Sequence, residues 1–436
     1  MDKKITIFWF RRDLRIEDNV GFSEALKSGF PVLPIFIFDK EILDKLPKDD
    51  ARVNFIFDTL QKMKDFLLKK SKSSIAVYHD NPIQIFEQLH KEYNIQAVYT
   101  NKDYEPYAKK RDASIQEFLN NNNIDFKTYK DQVVFEENDI LKDDGDPYVV
   151  YTPYKNKWRS QFNPEIDLKN YKTAPYFNNL IKNDSLPNLS LSDIGFETSK
   201  IKVPDYYLIP TSIQHYEETR NFPAIENGTS KLGPHLRFGT VSIRGIIKKA
   251  IAEKNEVFLS ELIWREFFMQ ILHHFPHTTT QAFRPKYDRI VWRNNEEEFE
   301  KWKNGQTGYA LVDAGMRELN TTGFMHNRVR MLVASFLCKH LLIDWRWGEA
   351  YFAEKLLDYD LSANVGNWQW AAGTGVDAAP YFRIFNPMTQ VDKFDKQKEY
   401  INKWVPELQE LTYPNKMVDH KMARERCLKV YKEALS

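Results

Sequence analysis

The first third of the chain alternates between short apolar runs and longer amphipathic stretches. The apolar runs are rich in β-branched and aromatic residues, as strands are, and cover residues 5–10, 32–39, 74–79 and 97–101. Between them, residues 52–69 repeat apolar side chains at the three- and four-residue spacing of a helix. Strands that alternate with helices predict βαβ units, so we expect an α/β domain with a five-stranded parallel, Rossmann-like sheet over residues 1–130.

The pattern changes twice further along the chain. Residues 131–200 lose periodicity and fill with Asp, Asn, Ser and Pro, which predicts a long linker that wraps a surface. Over residues 201–436 the patterns are helical, most clearly at 257–273 and 312–340. The second domain is therefore predicted to be all helical.

Composition narrows the class of protein only a little. A chain of 436 residues is too long for one ordinary core, which agrees with two domains. Aromatic residues make up 14% and include 10 Trp, which can serve core packing, stacking or electron transfer. The formal net charge is +1, so a nucleic-acid partner cannot be argued from bulk charge and would need locally clustered basic residues.

Cysteine usage and hydropathy predict a compartment. Cys338 and Cys427 are the only cysteines, too few for a disulfide framework and without metal-ligand spacing, which favours a reducing compartment. Residues 1–5 lack an apolar leader, and no stretch approaches the roughly 20 apolar residues of a membrane span. We expect a cytoplasmic protein without a membrane partner.

Two segments contain candidate ligand-binding chemistry. Residues 227–236 place glycines and small hydroxyl residues beside Lys231 before a predicted helix, which suits a phosphate, although an ordinary helix N-terminus with Pro in its first turn explains them too. In the helix around residue 261, Glu261, Trp264 and Arg265 share one face and could grip a flat, hydrogen-bonding ligand. From spacing alone, an ion pair between Glu261 and Arg265 beside a core tryptophan is the favoured interpretation.

A third segment carries polar residues on a predicted helix. Asn327, Arg330 and Met331 share a face by their spacing, whereas Arg328 points away from it. His326 beside them is interpreted as a structural residue. No Ser-His-Asp or Cys-His set and no His/Cys metal cluster stands out, so hydrolytic and metal mechanisms lack support and no metal is predicted.

Several motifs in the right order carry a family resemblance. Residues 358–370 and 377–387, together with 9–15, 151–154, 392–395 and 404–408, resemble the photolyase/cryptochrome family, and within it the class I cyclobutane pyrimidine dimer photolyases. The resemblance covers nearly the whole chain. It implies an N-terminal α/β domain, a long linker and a helical domain that holds FAD in a folded conformation.

The resemblance also implies a flavin site. Asn364 matches the position that faces flavin N5, where a neutral amide can hydrogen-bond a protonated nitrogen and favours the reduced anion that donates the electron. Arg330 and Asp358 can form a charge-assisted pair against the ring. The full set implied to hold FAD is Tyr216, Thr229, Ser230, Lys231, Leu232, Gly233, Phe258, Glu261, Arg265, Asn327, Arg330, Asp358, Tyr359, Asp360 and Asn364.

Three tryptophans match the electron-transfer triad of the family. They are Trp368, Trp345 and Trp292, ordered from the flavin to the surface. Indoles are readily oxidised and can relay an electron in short hops. Trp302 is interpreted as packing, and Trp347 has no assigned role.

The implied reaction is light-driven splitting of a pyrimidine dimer in duplex DNA by an electron from reduced FAD. Photolyases are among the enzymes that flip their target base out of the helix. Glu261 would hydrogen-bond the polar edge of the dimer, and Trp264 and Trp370 would wall the pocket. The other residues implied to meet dimer or DNA are Arg220, Asn327, Arg328, Met331, Gln390 and Lys393.

Alternatives within the family remain open. The (6-4) photolyases carry two histidines where this chain has Asn327 and Met331, which argues against (6-4) repair. A cryptochrome-type light sensor and a DASH-type enzyme for single strands are the main alternatives; the chain lacks a long tail before Ser436, which counts against the sensor. The sequence after Tyr104 and Glu105 is closer to members with a deazaflavin or FMN antenna than to folate-binding ones, and an empty antenna site is possible as well. We expect a monomer with no obligate protein partner, associated with the nucleoid if the cell is prokaryotic.

Overall fold

The computed structural model describes residues 4–436 and divides into two compact units. The first unit contains the described residues up to 136 together with 161–204 and 232–249, and the second contains 137–160, 205–231 and 250–436. Residues 1–3, which belong to the segment read as lacking an apolar leader, lie outside the described part. Each unit is therefore discontinuous in sequence.

The first unit is built on a parallel sheet of five strands. Their order is β3-β2-β1-β4-β5, with β1 in the middle, and every neighbouring pair is parallel. The predicted α/β class is confirmed. The strands are β1 Lys4–Phe10, β2 Val32–Asp39, β3 Ala76–Asp80, β4 Asn94–Asn101 and β5 Asp125–Tyr129.

The strands show why four of them could be predicted and one could not. β2 is buried along its whole length, and β1 is buried from Ile5 to Phe10 because helices cover a parallel sheet on both faces. β5, with the sequence DFKTY, lies at the sheet edge and is largely exposed. An edge strand buries fewer side chains, so it lacks the apolar run by which the inner strands are detected.

Twenty α-helices lie along the described residues. The helices of the first unit are α1 Val20–Leu26, α2 Lys40–Leu43, α3 Ala51–Ser71, α4 Pro82–Glu92, α5 Pro106–Asn121, α7 Pro164–Asp167, α10 Gly233–Arg237 and α11 Ile243–Ala252, whose last three residues are assigned to the second unit. The second unit contains α6 Tyr151–Gln161 up to residue 160, α8 Pro210–Gln214 and α9 Tyr216–Thr219. The remaining helices, all in the second unit, are α12 Glu256–His274, α13 Glu296–Lys303, α14 Ala310–Thr322, α15 Asn327–Ser335, α16 Trp345–Lys355, α17 Leu361–Ala372, α18 Pro387–Phe394, α19 Glu399–Trp404 and α20 His420–Leu435.

The stretch predicted as a linker without periodicity contains a helix. α6 buries Tyr151, Tyr154 and Trp158, which recur at the three- and four-residue spacing of one helical face. The indole of Trp158 donates a 2.7 Å hydrogen bond to Glu266 of α12. The apolar stripe of α6 is made of Tyr and Trp among polar residues, so a search for aliphatic periodicity passes over it.

The helical pattern predicted over 312–340 is interrupted in the middle. α14 ends at Gly323, which adopts the left-handed conformation with φ 68°, and α15 begins after His326. The imidazole Nδ1 of His326 accepts a 3.1 Å hydrogen bond from the backbone N–H of Arg328, so this histidine caps the helix. The cap gives His326 a structural role, and Asn327 lies in the first turn of α15.

One hydrophobic core in the second unit gathers most of its tryptophans. Trp302, Trp345 and Trp368 are buried in it, and Trp292, Trp347, Trp370 and Trp404 pack against it. Within residues 4–436 there is no helix with the length and apolar character needed to cross a bilayer.

Candidate functional site

The helix α12 contributes an acidic and aromatic face to the second unit. The Glu261 carboxylate accepts a 2.6 Å hydrogen bond from the guanidinium of Arg220, which follows α9. That guanidinium also lies 5.3 Å from the ring centroid of Tyr216, whose ring meets Phe258 edge-on at 5.1 Å. Three residues implied to hold FAD and one implied to meet DNA therefore form one cluster.

The phenol of Tyr216 is held neutral in this cluster. Burial raises the pKa of Tyr216 to about 12, and the nearby Glu261 carboxylate acts in the same direction. A neutral phenol can donate a hydrogen bond as well as accept one. Tyr216 is thus suited to contact a polar ligand group without adding charge.

Trp264, three residues after Glu261, stacks on a tyrosine that the sequence reasoning missed as a site residue. The rings of Trp264 and Tyr151 are 3.6 Å apart between centroids and inclined by 9°. The Tyr151 hydroxyl donates a 2.7 Å hydrogen bond to the carbonyl oxygen of Ser260 in α12. Tyr151 is the first residue of a family motif, and this motif was the one sequence feature that pointed to a functional role. Because residue 151 falls in the segment predicted to be a linker, its contact with Trp264 was not predicted.

The segment implied to bind phosphate is an irregular turn. Lys231 adopts the left-handed backbone conformation with φ 54°, and the carbonyl oxygen of Ser230 accepts a 2.8 Å hydrogen bond from the backbone N–H of Tyr207. Thr229 and Ser230 belong to the second unit with Lys231, whereas Leu232 and Gly233 begin the segment assigned to the first unit. The phosphate assignment remains a prediction.

The expected ion pair on α15 is present. Arg330 donates two hydrogen bonds to Asp358, at 3.1 and 2.9 Å, in the bidentate geometry that a guanidinium and a carboxylate favour. Its Nε donates a third, of 2.7 Å, to the carbonyl oxygen of Met325. The pair is partly exposed, at 23% for Arg330 and 15% for Asp358, so it is positioned to border a ligand.

Arg328 and Met331, on either side of Arg330 in α15, do not share its ion pair with Asp358. Arg328 donates to the side-chain oxygen of Asn221, and its guanidinium carbon lies 4.4 Å from the ring centroid of Phe394. Arg328 Nη1 lies 3.7 Å from the sulfur of Met331. Met331 and Arg328 are therefore in contact, as residues three apart on a helix can be, so the prediction that Arg328 turns away from the face of Met331 is wrong.

His326 remains neutral under ordinary conditions. Burial lowers its pKa to about 4, and the positive charges of Arg330, Arg328 and Arg220 act in the same direction. Its Nε2 and the Nε of Arg328 are buried and have no hydrogen-bond partner within residues 4–436. Such unpartnered donors fit a site that is completed by a polar ligand.

The N-terminal end of α17 carries two more of the residues implied to hold FAD, Asp360 and Asn364. Asp360 caps the helix, with one carboxylate oxygen accepting from the backbone N–H of Ala363 at 3.3 Å. Asn364, 8% exposed, follows one turn later. Its amide nitrogen donates to the carbonyl oxygen and to the carboxylate of Glu349, at 3.1 and 2.9 Å.

Of the three tryptophans assigned to the triad, two are buried and one is partly buried. Trp368 and Trp345 are 2% and 1% exposed, and Trp292 is partly buried. Gly348, one turn after Trp345 on α16, lies so close to Trp368 that a Cβ there would come within 2.1 Å of the indole. The face of α16 that carries Trp345 therefore packs against Trp368.

The two remaining indoles near the triad have other neighbours. Trp302 is fully buried, meets Trp368 at 6.2 Å and donates its N–H to the carbonyl oxygen of Val333, in agreement with a packing role. Trp347 contacts Phe299 edge-on at 5.2 Å.

The last residues implied to meet DNA lie on or near α18. Lys393 lies 5.2 Å from the ring centroid of Phe394, the aromatic residue that also underlies Arg328. Gln390 is on the same helix, and Trp370 is half-buried on α17. Two of the proposed DNA-contacting cations thus share one aromatic neighbour.

The carboxyl ends of the sheet strands in the first unit carry a separate polar cluster. Glu105 accepts from Arg12 at 2.9 Å and also binds Arg237. The Tyr107 hydroxyl donates a 2.5 Å hydrogen bond to Asp39 at the end of β2. Ligands in open α/β sheets commonly bind outside the carboxyl ends of the strands, so this edge is the candidate antenna site.

No group of three or more His, Cys, Asp or Glu side chains in residues 4–436 is arranged to hold a metal ion.

Comparison with known proteins identifies the class of protein to which this fold and site belong. A family model for DNA photolyase matches residues 6–173, and one for the FAD binding domain of DNA photolyase matches residues 258–412. A deoxyribodipyrimidine photo-lyase from Vibrio cholerae is 36% identical over 98% of this chain and 99% of its own length. The chain belongs to the photolyase/cryptochrome family.

Solved structures give the same result. A bacterial class III photolyase from Agrobacterium tumefaciens has a TM-score of 0.87 and 31% identity, with 100% of this chain and 98% of that chain covered. An archaeal photolyase from Sulfolobus tokodaii, solved with two FAD molecules, has a TM-score of 0.81 and 34% identity, with 98% and 99% covered. The likeness to a class III enzyme means that the family is established and the class within it is not.

Proposed function

We propose that this protein is a deoxyribodipyrimidine photo-lyase, which uses light and FAD to split cyclobutane pyrimidine dimers in duplex DNA. The observation that carries the proposal is the cluster on α12, where Glu261 binds Arg220 and Phe258 meets Tyr216, with Trp264 three residues after Glu261 on the same helix. This cluster offers a hydrogen-bonding carboxylate next to flat aromatic surfaces, which is what a pair of linked pyrimidines requires. The near full-length similarity to enzymes of that name supports the same reaction.

The donors and acceptors of the second unit fit a flavin. Arg330 and Asp358 form a planar pair, and Asn364 has an amide oxygen to offer. Two buried nitrogens, Nε2 of His326 and Nε of Arg328, lack a hydrogen-bond partner within the described part of the chain. We propose that the residues named above as the FAD set hold the cofactor, with Thr229, Ser230 and Lys231 at its phosphates. When bound and reduced, FAD supplies on illumination the electron that the dimer takes up and later returns.

The protein's own residues would position the dimer and stabilise its charged form. Glu261 would accept from the polar N–H edge of one base while Arg220 keeps the carboxylate charge balanced. Trp264, supported from behind by Tyr151, and Trp370 would stack on the bases. Trp368, Trp345 and Trp292 would donate electrons in turn toward the cofactor to reduce it.

Within the family we propose class I and dimer repair. Asn327 and Met331 occupy the positions of the two histidines of (6-4) photolyases, and an amide and a thioether cannot perform the acid–base chemistry of imidazole. The presence of Glu261, Trp264 and Asn364 together argues against a cryptochrome-type sensor. A DASH-type enzyme differs in its substrate, and a comparison of single-stranded with duplex substrate separates the two.

We further propose the division into an α/β domain at 1–130, a linker at 131–200 and a catalytic domain at 201–436. The first domain would bind a deazaflavin or FMN antenna at the strand ends near Glu105 and Tyr107 if it binds one. The similar archaeal enzyme was solved with two FAD molecules, so a flavin-type antenna has support. We expect a cytoplasmic monomer that needs no obligate protein partner.

Dimer binding should weaken with salt, since cations on the DNA-facing side release counterions from the phosphates they contact. We expect Arg328→Ala to lower the affinity for dimer-containing duplex and to reduce the slope of log affinity against log salt by about 1. Fluorescence anisotropy at several salt concentrations measures both. Lys429→Ala, which changes an exposed cation on α20, is the matched control and should leave the slope unchanged. A dissociation constant that does not depend on salt would contradict the proposed DNA surface.

The direct test of the proposed function is light-dependent repair. Purified, FAD-containing protein should remove thymine dimers from duplex DNA under blue or near-ultraviolet light and leave them intact in the dark. Binding of FAD without any light-dependent loss of dimers would favour the sensor instead.

A further inference from the structure

Lys339 is a charged side chain in the interior of the second unit. It is 1% exposed and lies in the π-helical turn Phe336–His340, which follows α15, and such turns are frequent at functional sites. Its ammonium donates one hydrogen bond, of 2.9 Å, to the backbone carbonyl oxygen of Arg383. Lysines are almost never fully buried unless they are paired, and no carboxylate of the described residues forms an ion pair with this one. A buried ammonium with a single uncharged acceptor is costly, so its presence indicates a function that an apolar side chain could not serve.

The charge of Lys339 is present at neutral pH and lost at mildly alkaline pH. Burial lowers the pKa of Lys339 to about 8, Cys427 and Cys338 oppose that change, and the positive charge of Arg383 adds to it. Both thiols remain protonated, because burial raises the pKa of Cys427 to about 12 and holds the pKa of Cys338 well above its usual value. Neither thiol therefore changes charge near pH 8, whereas Lys339 does.

The carbonyl oxygen that Lys339 holds belongs to a turn between α17 and α18. The backbone N–H of Arg383 donates a 2.8 Å hydrogen bond to the carbonyl oxygen of Pro380, which closes this four-residue turn. Within the turn, Tyr381 stacks on Tyr431 of α20, with 5.8 Å between the ring centroids and an inclination of 11°. Arg383 itself is exposed. The turn is thus fastened to the interior at two points while its last residue faces solvent.

The exposed Arg383 adds a positive charge to the cations that we propose to face DNA. Burial lowers the pKa of Arg328, and the positive charges of Arg220 and Arg383 act in the same direction. Neighbouring guanidinium groups repel one another, and an anionic ligand relieves that repulsion. The phosphates beside a dimer are such anions, and guanidinium groups bind phosphate in a defined geometry. The position of Arg383 should therefore affect the affinity for DNA.

We propose that Lys339 is a positioning residue for DNA binding, whose buried ammonium fixes the turn that ends at Arg383 and thereby places the Arg383 guanidinium beside Arg328. The inference rests on the proposed function, in which Arg220 and Arg328 meet the phosphates around the dimer. It assigns to Lys339 an effect on DNA affinity that is exerted through Arg383, and no contact with DNA, FAD or the dimer.

The test compares Lys339→Met with the wild type in the purified, FAD-containing protein. Methionine is unbranched, apolar and adaptable in a core, but it neither carries a charge nor donates a hydrogen bond. At pH 7 and fixed salt, the dissociation constant for a dimer-containing duplex, measured by fluorescence anisotropy in the dark, should rise about three- to tenfold, the effect of one net hydrogen bond. The absorbance of the bound FAD should stay that of the wild type. Lys429→Met, which removes an exposed cation from α20, is the matched control and should bind as the wild type does.

The pH dependence of binding separates positioning by the Lys339 charge from a merely structural effect. Lys339 is charged below its pKa of about 8 and neutral above it, so the wild type should bind the duplex about three- to tenfold more weakly at pH 9 than at pH 7. In Arg383→Ala, which removes the guanidinium that the turn positions, this change with pH should be absent. In the same background, Lys339→Met should lower the affinity no further.

Three results would overturn the inference: equal affinity of the wild type at pH 7 and pH 9, an undiminished change with pH in Arg383→Ala, or full additivity of the two substitutions. The pH series needs only the wild type and Arg383→Ala, so it decides the question even where Lys339→Met does not fold. The proposed function fails separately, because it requires that the wild type bind FAD and split dimers in light. Repair by a wild type whose DNA affinity is the same at both pH values would contradict the role of Lys339 alone.

Discussion

Trp368→Phe should abolish photoreduction of the bound flavin and leave dimer repair intact. Phenylalanine is much harder to oxidise than tryptophan, so the first electron donor would be removed. Trp368 is 2% exposed and packs edge-on against Phe352 at 5.0 Å, so the smaller ring leaves a partial void that should cost about 1–3 kcal/mol without unfolding the protein. FAD binding should persist.

Two assays on this variant distinguish electron supply from repair. Starting with oxidised flavin and an external reductant, illumination should build up reduced flavin in the wild type and almost none in the variant. Starting with chemically reduced flavin, both proteins should repair dimers at similar rates per absorbed photon. Trp404→Phe, the same change at an indole that packs on the same core, is the matched control. Photoreduction of Trp368→Phe at the wild-type rate would show that another residue is the first donor.

Glu261→Ala should bind FAD yet lose most of its repair yield. The substitution removes the acceptor proposed for the dimer and leaves the positive charge of Arg220, which now binds Glu261 at 2.6 Å, without that partner. A hydrogen bond to a charged group contributes about 1.5–3 kcal/mol, so the combined loss in dimer affinity and yield should reach about tenfold or more. The measurement is dimers split per absorbed photon at saturating substrate, together with the dissociation constant.

Two further variants of α12 identify the cause of that loss. Glu261→Gln keeps an acceptor oxygen and should retain more activity than Glu261→Ala. Glu256→Ala removes an exposed carboxylate from the same helix, where it pairs with Arg159, and should repair as the wild type does. Equal yields for Glu261→Ala and the wild type would exclude Glu261 from dimer recognition.

The parts of the fold that the sequence predicts well are those in which local pattern and burial agree. β2 was predicted with its observed ends, because all of its residues are buried and it is bounded by Phe30-Pro31 and by the Asp39 cap of the next helix. β5 was not located, because an edge strand exposes the side chains that would mark it. α6 was missed because its buried face is aromatic and lies among lysines and asparagine.

In the site, too, only some of the contacts between residues could be predicted from the sequence. The pair of Arg330 and Asp358 could be predicted because the resemblance to the family places both beside the ring. The contacts of Glu261 with Arg220, of Trp264 with Tyr151 and of Asn364 with Glu349 join residues 41, 113 and 15 positions apart, as follows from their numbers. Only tertiary packing brings such residues together, and no periodicity in the sequence reports it.

The central claim, that this protein repairs cyclobutane pyrimidine dimers with light, is tested most directly on a duplex that contains one thymine dimer at a defined site. Purified wild-type protein, reduced beforehand, is illuminated with this duplex, with the same duplex carrying a (6-4) photoproduct, and with the single strand alone, each beside a dark control. Chromatography of the digested DNA then counts the remaining lesions. We predict loss of the dimer from the duplex in light only, with the (6-4) photoproduct unchanged. Retention of the dimer in the illuminated duplex by protein that contains reduced FAD would contradict the account.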